Sequence, residues 1–256
     1  MNYYNEIDPH AAQWLRNLID AALIPGGDVD TRSIEDVTPN DLRGYTQCHF
    51  FAGIGGWPLA LHLAGWPEGR RVWTGSCPCQ PFSQAGKGSG FDDQRDLWPS
   101  WFHLIRECKP PVVFGEQVAA AIGHGWLDRA VSDLEGWGYA CGSAVLQASS
   151  VNAPHRRDRL WIVADAEWNE QPREEPRLRQ AGRVGRVVEP VSWDQLWPDA
   201  LASVRALDDG LPRNVAGTDA ARNAIVPEVG AKFVTAYLET TAAQWGGEVQ
   251  EARVAA

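Results

Sequence analysis

The sequence predicts an α/β protein built on a doubly wound, mostly parallel sheet, and three observations carry that prediction. A short apolar strand over 47–51 runs straight into the glycine turn Ala52-Gly53-Ile54-Gly55-Gly56, and a helical pattern follows from Leu59 to Ala64 until Gly65 closes it. Apolar stretches of strand length recur at 72–75, 112–114, 144–146 and 160–163. Helical spacings over 97–107 and 125–137 fall between them. Strands that alternate with helices bury both sheet faces, which favours parallel pairing.

Ahead of this core, residues 8–22 read as a helix with Asp8 as N-cap and Pro9 as the first helical residue. Ala11, Trp14 or Leu15, Leu18 and Ala22 form its apolar stripe, and Pro25-Gly26-Gly27 stops it. Past Ala164 the texture changes: 165–213 is rich in Arg, Glu, Pro and Trp without a clear period. Apolar spacing returns over 220–243 through Ile225, Val229, Phe233 and Tyr237, as a helix that packs back on the sheet, and the last dozen residues read as a frayed tail. The expected domains are 1–164, a short lobe over 165–216, and a returning helix within 217–256.

The 256 residues are 44% hydrophobic and 22% charged, an ordinary globular balance that excludes a disordered or collagen-like chain. No apolar run is long enough to span a membrane, and the start lacks the blocks of a secretory signal, so a cytoplasmic protein without membrane partners is expected. Five cysteines without an export signal argue against a disulfide framework. The net charge of −10 excludes a chain-wide polyanion footprint, so any nucleic-acid contact must be local. Arg173, Arg177, Arg179, Arg183 and Arg186 supply one basic patch.

Four segments could carry chemistry. The glycine turn either brings backbone N–H groups to an anionic ligand or is only a tight strand-to-helix turn. Gly75-Ser76-Cys77-Pro78-Cys79-Gln80-Pro81-Phe82-Ser83, with the later Gly86-Lys87-Gly88, sets a cysteine past a strand end in a proline-stiffened loop. That suits a positioned nucleophile, while buried structural cysteines remain open. The Cys-x-Cys spacing lacks a second ligand pair, so no metal is expected. Glu116 closes the strand Val112-Val113-Phe114-Gly115 and is either a neighbour of Cys79 in one crevice or a solvated loop residue. His155-Arg156-Arg157-Asp158-Arg159 either binds phosphate or is a solvated surface run.

Together these segments resemble the cytosine-5 DNA methyltransferases: a glycine turn, Pro-Cys-Gln with Pro-Phe-Ser, a strand-end Glu, an alternating arginine pair, and Asn223-Ala224-Ile225-Val226-Pro227 near the end. The resemblance covers Cys48 to Arg159 in order and spacing and is that of a short, phage- or prophage-like member. One feature departs from it. Only residues 57–77 separate the glycine turn from Pro-Cys-Gln, too few for the two strands and the cofactor-holding acid that belong there. Glu6-Ile7-Asp8 and Gly27-Asp28-Val29 resemble those missing second and third motifs, so the chain reads as circularly permuted, its second and third βα units placed before the first. Rewiring is tolerated because ligand sites depend on where strand ends meet in space. If 1–45 were merely a helical cap, the ribose acid would be lost.

The resemblance implies a Rossmann-like S-adenosylmethionine-dependent methyltransferase fold in permuted order, with a small recognition lobe. It assigns Cys79 as nucleophile, Glu116 as the partner of the cytosine ring, and Arg157 and Arg159 as orienting groups. It places S-adenosylmethionine among Phe51, Gly53, Gly55, Gly56, Glu6, Ile7, Asp28, Val29, Leu97 and Asn223. Gln80, Ser83, Lys87 and the five arginines of the patch would contact double-stranded DNA, with Trp168, Trp193 and Trp197 packing the lobe. A monomer is expected, and a restriction partner is left open. Gln117, His155 and Arg222 stand where the family usually has Asn, Gln and Gly. The competing readings are a degenerate binding module and cytosine modification from another one-carbon donor.

Overall fold

The computed structural model describes residues 1–78, 96–151, 153, 157–166 and 224–242. Cys79, Gln80, Ser83, Lys87, His155, Arg222, Asn223, the lobe from 167 to 216 with its arginines and tryptophans, and the tail after 242 lie outside them.

The described strands form one seven-stranded sheet: β1 (Asn2–Asn5), β2 (Gly27–Asp30), β3 (Gln47–Phe50), β4 (Val72–Gly75), β5 (Val112–Val118), β6 (Ala140–Gln147) and β7 (Asp158–Asp165). Their spatial order is β2-β1-β3-β4-β5-β7-β6. The first five run parallel, and β7 enters antiparallel between β5 and β6. If β3 were counted first, β1 and β2 second and third, and β4 and β5 next, the parallel half would read 3-2-1-4-5, the order of a doubly wound dinucleotide-binding sheet. The permutation read from the sequence is therefore visible in the sheet itself: the glycine-turn strand is central although it is third in the chain.

Helix α1 (Pro9–Asp20) starts as its sequence dictates, with the Asp8 carboxylate accepting from the His10 and Ala11 amides at 2.9 Å. Ala11, Ala12, Trp14, Leu15 and Leu18 are buried, whereas Ala22, expected in the stripe, is exposed beyond the helix end. Helix α2 (Gly56–Leu63) springs directly from the glycine turn, and α3 (Trp98–Cys108), α4 (Trp126–Glu135) and α5 (Pro227–Ala242) complete the described set. None is long and apolar enough to cross a membrane.

Alternate residues of each central strand feed two cores. Cys48, Phe50, Trp73 and Val113 pack with Trp101, Leu104 and Ile105 of α3 and Trp126 and Leu134 of α4. Val72, Phe114 and Trp161 pack on the other face with Trp57 and Leu61 of α2 and Val229, Val234 and Tyr237 of α5, while Tyr4 meets Trp14, Leu15 and Leu18 of α1. The edge of α5 is pinned where the Tyr237 hydroxyl donates to Asp165 at 2.8 Å and accepts from Arg70 at 3.2 Å.

Candidate active site

Parallel pairing places Asp30, Asn5, Phe50, Gly75 and Gly115 in one row across the sheet. Everything that follows these residues opens onto a single carboxyl-edge crevice, the place where open α/β sheets bind ligands. Glu6, the glycine turn, Ser76, Cys77 and Glu116 all stand there.

On the outer side, the Glu6 carboxylate ties two segments together: it accepts from the Gly53 amide at 2.7 Å and from the Asp8 amide at 2.9 Å. Burial pushes its carboxyl upward, against the pull of these two donors. The glycine turn needs its glycines, because Gly53 and Gly55 have φ of 54° and 86° and a side chain at either would be strained. No atom stands within 4 Å of where a Cβ on Gly53 would lie, so that backbone is open to a ligand beside Glu6. Phe51, itself at φ 51°, sets its ring edge-on to Trp101 at 6.2 Å. Ile7 is 64% exposed at the same rim. Asp28 lies two residues short of the row and accepts from the Tyr45 hydroxyl, and Val29 packs toward α1. It is Asp30 that reaches the row, held by the Tyr3 hydroxyl at 2.8 Å and Arg32 at 2.7 Å. Leu97 caps the start of α3 and packs on the α3 core.

On the inner side, Glu116 lies inside β5 rather than past its end, because the strand continues to Val118 against β7. It is no solvated loop residue: it is 6% exposed. Arg159 Nε meets Glu116 Oε1 at 2.8 Å. Burial pushes the Glu116 carboxyl up, while Arg159, a hydrogen bond from Ser76 and Arg157 pull it back. Ser76 in turn accepts from Trp57 Nε1 at 3.1 Å. Arg157 sits at φ 39° and donates from Nη2 to the Ala224 carbonyl at 2.6 Å. The arginine pair is thus built into the crevice wall.

Gln117 Nε2 donates to the Cys77 carbonyl at 3.2 Å, and its Oε1 accepts from the Val118 amide at 2.9 Å. The longer amide, standing where the family has Asn, still braces the start of the cysteine loop. Asp96, where the described residues resume, pairs with Arg129 at 2.6 Å. Ser76, Trp57 and the Asp96–Arg129 pair were not read as functional from sequence. Ser76 carried a signal, as the residue directly before the Cys-Pro-Cys stretch; the other contacts join segments far apart in the chain.

The fold is a permuted doubly wound sheet whose carboxyl edge holds a buried carboxylate, Glu116, paired with the partly exposed Arg159. The model of the C-5 cytosine-specific DNA methylase family matches residues 70–205, just over half of the sequence, and the chain belongs to that family. It is 37% identical over 92 residues to the type II methyltransferase M.MspI of a Moraxella species, covering 34% of this chain and 22% of that protein. It is 28% identical over 225 residues to M.PspPI of a Psychrobacter species, covering 66% of this chain and 54% of that protein. The chain therefore spans between about a fifth and about half of these two relatives. The solved Dnmt2 methyltransferase of S. pombe is a loose structural likeness, with a TM-score of 0.49 and 12% identity over 94% of this chain and 99% of that one.

Proposed function

We propose that the protein is a DNA (cytosine-5)-methyltransferase that moves a methyl group from S-adenosylmethionine to C5 of a cytosine turned out of duplex DNA. The observation that carries this reading is the Glu116–Arg159 pair, buried at the crevice one strand from the segment that leads into Cys79.

Carbon 5 of cytosine is a poor nucleophile. Addition of the Cys79 thiolate to C6 forms an S–C6 bond, moves the ring electrons toward C5 and splits one hard step into two. Glu116 would meet N3 and the exocyclic amine. A carboxyl whose burial raises its proton affinity, next to two guanidinium groups that restrain that rise, is suited to share a proton with N3 as the adduct forms. Arg159 fixes the carboxylate, and Arg157 borders the same wall. Loss of the C5 proton and departure of the thiolate restore the aromatic ring. The target atom is inaccessible in a stacked duplex, so the base must leave the stack.

The residues present fit the methyl donor: open backbone at Gly53, the Glu6 carboxylate as acceptor for ribose hydroxyls, and the α2 N-terminus. Phe51, Gly55, Gly56, Ile7, Asp28, Val29, Leu97 and Asn223 would complete that side. When bound, S-adenosylmethionine supplies an electrophilic methyl group. Gln80, Ser83, Lys87 and Arg173, Arg177, Arg179, Arg183 and Arg186 are assigned to the DNA, within a recognition lobe over 165–216, in a cytoplasmic monomer.

The test is incubation of the protein and duplex DNA with methyl-labelled S-adenosylmethionine. Label on cytosine that disappears in Cys79→Ala is expected. DNA binding with neither label nor an adduct on 5-fluorocytosine duplex would leave only a binding module, and an adduct that needs some other donor would leave cytosine modification from another one-carbon source.

A further inference from the structure

Between Arg157 and the glycine turn lies a short segment with no role so far. Ile225 is 7% exposed and seats its side chain on Gly56: a Cβ placed there would stand 2.6 Å from Ile225 Cγ1. The preceding residue, Ala224, turns its carbonyl to Arg157 Nη2 at 2.6 Å. The next, Val226, lines a small hollow with Arg157, Arg159, Trp161 and Val229. The helix that follows is locked to α2, since a Cβ on Gly230 would stand 2.9 Å from the Ala60 Cβ. Arg157 adopts a left-handed backbone that a long side chain enters at a cost, and such conformations persist where their surroundings over-determine them.

We infer that Ile225 is a positioning residue: by seating on Gly56 it sets the Ala224 carbonyl, and through that carbonyl it sets the Arg157 guanidinium. The inference rests on the reading of Arg157 as a group that faces the flipped base. One strut of consecutive residues then aligns the turn on the donor side with the arginine on the base side.

The experiment is a double-mutant cycle of Gly56→Ala and Ile225→Ala in the full chain. Gly56 opens a helix, where alanine would otherwise be favoured, so its added methyl acts through what it strikes. Two quantities are read: melting temperature, and the rate constant for adduct formation on 5-fluorocytosine duplex with S-adenosylmethionine. Gly56→Ala should slow the adduct on the order of tenfold to a hundredfold, by displacing the carbonyl under Arg157. Adding Ile225→Ala should recover most of that rate, and the melting temperatures should be non-additive. Ile225→Val alone should stay near wild type. A fall in adduct amplitude at unchanged rate constant would mean only fewer folded molecules and would overturn the proposal. A double variant as slow as Gly56→Ala would place the added methyl against the donor instead and overturn it too. If the wild-type protein forms no adduct, the functional reading fails by itself. The strut is then decided by the melting cycle, where additivity refutes it.

Discussion

At the scale of single residues, the crevice is a problem of keeping charge out of water. Glu116 is tolerated because Arg159 and Ser76 meet it, and replacing it removes the partner of a guanidinium and, on the proposed mechanism, the group that shares a proton with the base. Glu116→Gln should lower the rate of methyl transfer by about 10² to 10⁴-fold, read in single-turnover kinetics, with little change in cofactor affinity. An equal loss of both would mean the site had merely collapsed. Glu6→Ala should weaken S-adenosylhomocysteine binding by about tenfold or more in calorimetry and leave the circular dichroism unchanged; unaltered affinity would count against Glu6 as a donor-side residue. His49 has a separate consequence. It is fully buried on β3, its Nδ1 2.8 Å from Thr74 Oγ1, and burial lowers its pKa to about 3. The unfolded chain takes up that proton as pH falls below about 6.5 and the folded chain does not. Stability from this group is therefore present above that value and lost on acidification toward about 3. The slope is up to about 1.4 kcal/mol per pH unit, and urea titrations of His49→Gln should show it flattened.

At the scale of elements, what the sequence made legible were the parts with local causes. The Asp8 cap and Pro9 announced α1, and the glycine turn announced the junction of β3 and α2. Strands β1 and β2 gave no periodic signal: each has four residues, and Asn2 and Asn5 are polar. Asn2 and Asn5 are buried only because β1 has a neighbour on both sides, which no window of sequence contains. The identity of Glu6 and the cysteine segment could be read by resemblance, but the burial of Glu116 depends on β7 arriving antiparallel, a tertiary fact. The packing of α5 on the sheet was legible from its apolar spacing, but its polar pinning was not, since that joins Tyr237 to Arg70 and Asp165. Tyr237→Phe keeps the ring packed on Trp66 and Phe114 and removes the shared hydroxyl. It should cost about 1.5–3 kcal/mol by urea unfolding, as for other hydrogen bonds to charged groups. A neutral result would show that α5 is held by its apolar face alone.

At the scale of the whole molecule, the connection from β2 to β3 exists because of the permuted order. It is not idle, since Ile34, Val37 and Leu42 are buried against the α3 core. Past them, Arg43 and Gly44 are exposed, and Gly44 turns at φ 88°. Scission between those two residues would separate β1, α1 and β2 from the part of the sheet that holds Glu116 and Arg159, with each piece keeping its own share of the interface. Polypeptides 1–43 and 44–256, produced separately, should associate on mixing and regain methyl transfer, and pieces that stay apart at micromolar concentration would refute it. The seam left by rewiring thus becomes a natural place to divide this protein into two halves whose reunion is the switch.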